Sequence, residues 1–162
     1  VARLLMRRGR MRVPKLVVTD MDKSIAELAS KAAKTTLATW AADCAERVLP
    51  YFEDQYPDDN RPRNAIEACR AWVRAGVFRM AEVRTTSLAA HAAAREVAED
   101  DAARSAARAA GQALGTAHVS GHAVAAARYA ATAVRDATGS TNAALQEREW
   151  QYQHLLGLGD HS

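Results

Sequence analysis

Apolar residues recur at intervals of three and four along most of this chain, the period of an amphipathic helix. The clearest stripe is Leu37, Trp40, Ala41, Cys44, Val48 and Tyr51/Phe52, with Asp43, Glu46, Arg47 and Glu53 falling off it. Pro50 lies inside that pattern and predicts a kink or an end there. Upstream, Asp22 or Ser24 can cap a short helix from Ile25 to about Ala33, with Glu27 placed to complete a capping box with Ser24. The run from Tyr56 to Pro62 is the strongest break: Asp59 or Asn60 can cap, and Pro62 suits the first turn of a new helix. That helix, over Pro62–Ala75, carries Ile66, Cys69, Trp72 and Val73, and Gly76 closes it. The next spans Met80 to Val97, with Val83, Leu88, His91 and Ala94/Arg95 on successive turns. Glu99, Asp100 and Asp101 put acids at the start of a helix from Ala102 to about Val119. After a break at Ser120–Gly121 come a helix over His122–Ala137, ending at Gly139, and a last helix capped by Ser140, Thr141 or Asn142 and reaching about Leu156. Val13–Thr19 is β-prone but has no partner strand and is read as extended coil.

These elements predict an all-α fold: a compact bundle, or a short stack of antiparallel helical hairpins, of six to seven helices joined by short loops. At 162 residues the chain fits one domain. The expected division is a basic, disordered N-terminal arm over residues 1–22, one helical domain over 23–156, and a frayed tail over 157–162. Composition sharpens the packing. The chain is 49% hydrophobic but only 6% aromatic, and the difference is mostly alanine, the best helix former and small enough to let helices approach closely. Alanines on both sides of the three helices between Met80 and Ala137 predict contacts on two faces.

The formal charge of +3 is concentrated at the front, where Arg3, Arg7, Arg8, Arg10, Arg12 and Lys15 precede any acid; from Asp20 onward the charges nearly balance. Such an arm could meet an anionic surface, but a nucleic-acid role ranks last because no helix carries a basic, base-reading stripe. Cys44 and Cys69 are too few for a disulfide framework and read as small core residues. No stretch has the length of a membrane span, and the first twelve residues lack the apolar core of a signal peptide, so a cytoplasmic protein is expected.

Candidate chemistry falls into four groups. His118 and His122 stand one turn apart, and His91 on another helix could make a third ligand of an open zinc-type site; the competing reading is capping or buried, hydrogen-bonded histidines. No cofactor is predicted, and a divalent metal is the minor reading. Trp40, Asp43, Cys44, Glu46 and Arg47 form a polar set, in which Asp43 and Arg47 could pair and line an anion or amide pocket, against a plain surface ion pair beside a core cysteine. Asp58 and Asp59 could hold a cation, or Arg61 and Arg63 could clamp an anion, against simple capping. The last group runs from Glu147 through Trp150 and Gln151 to His154. Arg70, Arg74 and Arg79 read as a solvated basic face. Phosphate loops, dinucleotide fingerprints, paired-cysteine motifs and nucleophile elbows are absent from the sequence.

Several of these residues sit in longer motifs: WAADCAERVLP at 40–50, PDDNRPRNAIE at 57–67 followed by Ala71-Trp72, AAHAAAR at 89–95, AHVSGHA at 117–123 and EREWQ at 147–151. Together they resemble a family of small all-helical bacterial and archaeal proteins described as putative immunity proteins, some of them mislabelled as exonuclease subunits. The resemblance covers about Leu37 to His154. It implies binding and neutralising a cognate toxin, and it places Trp40, Asp43, Arg47, Asp59, Arg61, His91, His118, His122, Glu147, Trp150 and Gln151 at motif positions. Two readings compete: a protein that sequesters a partner protein, and a small-molecule-binding or enzymatic domain with a His/Asp/Arg-lined cleft between helices. They separate on whether His91, His118, His122, Asp43 and Arg47 converge.

Overall fold

A computed structural model describes residues 16–98 and 101–159. Among these residues the fold is all-α, with the order α1 (Met21–Lys31), α2 (Lys34–Val48), α3 (Pro50–Glu53), α4 (Arg61–Ala75), α5 (Met80–Arg95), α6 (Ala102–Gly115), α7 (Gly121–Thr138) and α8 (Thr141–Gly159). The four-residue α3 continues the line of α2. Proline has no N–H to give back to the preceding turn, but Leu49 stays in the right-handed region (φ −55°, ψ −36°), so helix ends at Val48 and resumes at Pro50 after one residue.

The stops are local chemistry. Gly76 (φ 68°) and Gly139 (φ 65°) take the left-handed conformation that glycine adopts without strain. Their N–H groups close onto Trp72 O and Arg135 O. At the start of α6 the Asp101 carboxylate accepts from the Ala103 N–H at 2.8 Å, and Ser140 Oγ accepts from the Ala143 N–H at 3.0 Å in front of α8. The capping box expected at Ser24 is not formed: α1 already begins at Met21. There the Asp22 carboxylate accepts from the Thr19 N–H at 3.2 Å.

Helix α6 is the axis of the bundle. It packs against α2, α3, α4, α5 and α7, and its only side chains not buried are Arg104, Arg108 and Gln112. A helix can be enclosed this way because alanine and glycine let backbones close up; Ala103, Ala106, Ala107, Ala109, Ala110 and Ala113 are all 0% exposed. The same preference corrects the expected stripe on α5. Val83, Ala90, Ala93 and Ala94 face the core, while Leu88 is 55% exposed, because the interface with α6 has room for methyl groups and not for a leucine.

The edges of the domain differ from expectation in detail. Val17 is buried, and its N–H donates to Thr132 Oγ1 on α7 at 3.0 Å, so residues 16–22 lie against the bundle. The basic positions Arg3 to Lys15 lie outside the described residues. At the other end α8 runs past Leu156 to Gly159. Among the described residues no helix is long and apolar enough to cross a membrane.

Candidate functional site

Most of the polar motif residues meet where α8 crosses α2. On α2, Trp40, Asp43 and Arg47 are spaced three and four apart; on α8, Glu147, Trp150, Gln151 and His154 are spaced likewise. Each set therefore lies along one face of its helix. The meeting has a buried tier and a half-exposed tier.

In the buried tier the Trp40 indole N–H donates to the Gln151 carbonyl at 2.8 Å. The Gln151 side chain is fully used: its amide donates to Ala127 O on α7 at 2.8 Å, and its oxygen accepts from Arg148 Nη1 at 2.8 Å. Arg148 is 0% exposed. Its other terminal nitrogen donates to the Asp22 carboxylate on α1 at 2.7 Å, and Arg128 of α7 approaches the same carboxylate at 3.4 Å. Burial works to raise the Asp22 pKa, but the hydrogen bonds from Arg148 and the Thr19 N–H, with the charges of Arg148 and Arg128, outweigh it and hold the carboxyl below its usual range. One guanidinium thus ties α1 to α8, and Gln151 carries the tie on to α7.

In the half-exposed tier Arg47 makes a two-point ion pair with Glu147, at 2.8 and 2.9 Å. Its guanidinium carbon also lies 3.8 Å from the centre of the Trp150 ring. Trp150 stacks on His154 (centroids 4.7 Å, 18° between planes). His154 Nε2 is 2.8 Å from Asp43 Oδ2, and Arg70 of α4 bridges Asp43 at 2.9 Å and Glu46 at 2.7 Å. The expected pairing of Asp43 with Arg47 is not made. Each finds a partner on another helix instead, where a well-directed bond can form without bending two side chains along one helix. Arg70, expected on a solvated face, is a bridge between α2 and α4.

The remaining candidates sit elsewhere. Asp59 accepts from the Arg61 N–H at 3.1 Å and from its guanidinium, and Arg61 reaches Glu96 at 2.6 Å, so this group latches the start of α4 to the end of α5. Arg63 is held by Glu53. These arginines and Asp59 are paired with each other's neighbours and do not form an anion clamp or a carboxylate pair for a cation. His91 lies on α5 with its ring over Gly111 of α6, where an added Cβ would come within 2.8 Å of the ring. His122 lies over Gly115, and its Nδ1 is 2.5 Å from Gln112 Oε1. His118 is half-buried in the turn between α6 and α7. Among the described residues no three His, Cys, Asp or Glu side chains come together as a metal site requires, so the three histidines are not gathered into one. Nor do they meet Asp43 and Arg47, whose contacts run to α4 and α8.

Burial first, then the charges of Arg108, Arg95 and His122, pushes the His91 imidazole down to about 4. Neither cysteine is poised as a nucleophile. Burial, with Glu147 and Asp43 nearby, drives the Cys44 thiol well up; burial drives Cys69 up to about 12, and its Sγ lies 3.5 Å from Ala113 O. A cavity of about 190 Å³ opens between α2 and α4, lined by Ala38, Thr39, Ala42, Arg70, Val73 and Arg74. It is smaller than usual ligand pockets, and Ala42 is the one residue of its lining that falls in a motif.

Sequence reading missed Arg148, Arg128 and the second role of Asp22. A signal for the first was present: Ala144, Arg148, Gln151 and Leu155 follow the core period of α8, so an arginine on that stripe had to be buried and paired.

A family model described as Imm-5 like putative immunity protein matches residues 27–158. No curated protein and no solved structure matches the chain. The chain belongs to the Imm-5 like putative immunity protein family.

Proposed function

From that membership we propose that the chain is an immunity-type binding protein, which sequesters a partner protein, a toxin encoded beside it being the expected partner. The family match carries this reading. The geometry lends it a second support. In the α2–α8 meeting, Trp40, Asp43, Arg47, Glu147, Trp150 and Gln151 are engaged with one another or with neighbouring helices. These residues are then the ones that hold α8, Arg148 and α1 in place, leaving the outer faces to recognise a partner. A catalytic cleft would instead need these side chains to converge with His91 and His122, which lie over α6.

The test is co-expression with each neighbouring gene product that is toxic alone. Restored growth, together with a stable one-to-one complex of the two purified proteins, supports the proposal. If no neighbouring product is toxic, or if every toxic one stays toxic and elutes separately, it is wrong.

A further inference from the structure

We propose that the open strip of α6, with the flanking edges of α5 and α7, is a docking surface for an acidic segment of the partner protein, recognised through its carboxylates. This rests on the binding-protein reading above and names the surface and the chemistry it would use.

Three observations converge on the strip. The first is its composition. Helix α6 is enclosed except along one line, and that line is Arg104, Arg108 and Gln112, spaced four apart. On α5, the His91 ring sits on Gly111 of α6, and Arg95, exposed, follows His91 one turn along the same helix. On α7, His122 reaches over to Gln112. These residues bring cations and hydrogen-bonding groups to the strip, and none of them is an acid.

The second is that, among the described residues, the acids near it are already engaged. On α5 Glu82 lies 3.8 Å from Arg79, and Glu96, just beyond its end, bonds to Arg61; on α7 Asp136 bonds to Arg135; Asp101 caps α6. Arg104 donates to Val97 O, whereas Arg95 and Arg108 have no ion pair among the described residues. Arg47, Arg61, Arg63, Arg70 and Arg148 all hold carboxylates; Arg74 on α4 and Arg84 near the start of α5 are, like Arg95 and Arg108, without an ion pair among the described residues, but they stand apart from one another and from the strip. Arginine presents a planar fork suited to carboxylate, so an unpaired set on one strip is charge complementarity awaiting a partner.

The third is an orphaned atom. His91 Nδ1 is buried and has no hydrogen-bond partner, a cost normally avoided in a folded protein. Gly111 and Gly115 let the two imidazoles settle directly onto the α6 backbone, where a larger residue would clash with them. The line from Arg104 to Gln112 is only about 12 Å long at 1.5 Å per residue. That length fits a short acidic loop or helix end better than a polyanion backbone, which gains affinity by meeting many cations in succession.

The test uses the full chain, with a ten-residue polyglutamate peptide as probe and nuclear magnetic resonance as readout. The ring signals of His91 and His122 and the side-chain signals of Arg95 and Arg108 should move on titration at low salt. Arg95→Glu with Arg108→Glu should weaken binding by about tenfold or more, while Arg95→Lys with Arg108→Lys should retain part of it through charge alone, with circular dichroism confirming equal folding. Shifts confined to the N-terminal arm, unchanged affinity in the charge-reversed protein, or tighter binding of a short oligonucleotide than of the peptide would overturn the proposal. The neutralisation assay separates the two ideas. If wild type and charge-reversed protein both protect, the docking surface is wrong and the binding function stands. If wild type protects against nothing, the binding function is wrong, and the peptide titration alone decides the strip.

Discussion

Replacing Asp22 with alanine should destabilise this protein more than any other single change on the surface of α1. The carboxylate is 17% exposed at its side chain, but the guanidinium it holds is 0% exposed. Arg148 already has one nitrogen, Nε, without a partner. Asp22→Ala removes the Asp22 bond and leaves Arg148 facing Arg128 with no anion between them. Stripping one partner from a buried pair costs about 3–5 kcal/mol, and water reaching the vacated edge favours the lower end, about 3. For a domain of this size that corresponds to roughly 6–12 °C in Tm. Arg148→Met is gentler. It substitutes apolar volume, leaves Asp22 with Arg128 and the Thr19 N–H, and orphans only Gln151 Oε1, at about 1–2 kcal/mol. The double variant should then resemble Arg148→Met alone, giving a coupling energy of roughly 3 kcal/mol in a double-mutant cycle. Urea unfolding followed by circular dichroism measures all three. An Asp22→Ala protein within 2 °C or so of wild type, on the same scale, would mean that Arg148 is solvated and that the buried tie is not what holds α1 to α8.

Arg47→Ala should cost about 1–3 kcal/mol, because it leaves the Glu147 carboxylate, 8% exposed, without its two donors; Arg47→Lys should recover only part of this, since an ammonium cannot make the two-point bond, and equal stability of the two variants by urea unfolding would contradict that geometry. Both cysteines should resist alkylation at pH 8 in the folded protein and react fully once denatured, since burial raises both thiols; rapid labelling of the native chain, read by mass spectrometry, would show the core to be open there. His91, held near 4 when folded against an ordinary 6.5, takes up a proton more readily in the unfolded chain, so stability should be flat above about pH 6.5 and fall as pH drops towards 4. The ring is partly solvated, so the loss attributable to it is roughly 1–2 kcal/mol. His91→Gln should flatten that window, and an unchanged pH profile of Tm would remove the explanation.

The helices are legible in the sequence because their punctuation is strong: Gly76, Gly139 and Asp101 each stop or start a helix by local chemistry that needs no tertiary context. Where expectation misses, the context decides. Larger apolar and amphipathic side chains are the usual core markers, and they draw the expected stripe on α5 through Leu88 and His91. In a bundle whose axis is lined with alanine, the helix instead turns Ala90, Ala93 and Ala94 inward, and the leucine is excluded by the closeness that small residues permit. Pro50 predicts an end or a kink, and the structure ends α2 at Val48 and starts α3 at Pro50.

The candidate site is legible as a set of residues and not as a geometry. Helical spacing shows that Asp43 and Arg47 share a face, and that Glu147, Trp150 and Gln151 share another, but nothing local says which faces meet. Partner choice is settled by the crossing of α2 and α8, more than a hundred residues apart in the chain. Once that crossing is known, the recurrence of aromatic and charged residues there has a structural cause. An alanine-rich core supplies tight packing but few large side chains to fix register, and Trp40, Arg47, Arg148 and Gln151 supply direction through bonds that work in one alignment only. That division also tells where recognition should be sought. Polar groups that are mutually saturated are poor ligands for anything outside, whereas Arg95 and Arg108 remain available on α5 and α6. Arginines left without a carboxylate along one strip are a better guide to what the chain binds than arginines already bonded to its own acids.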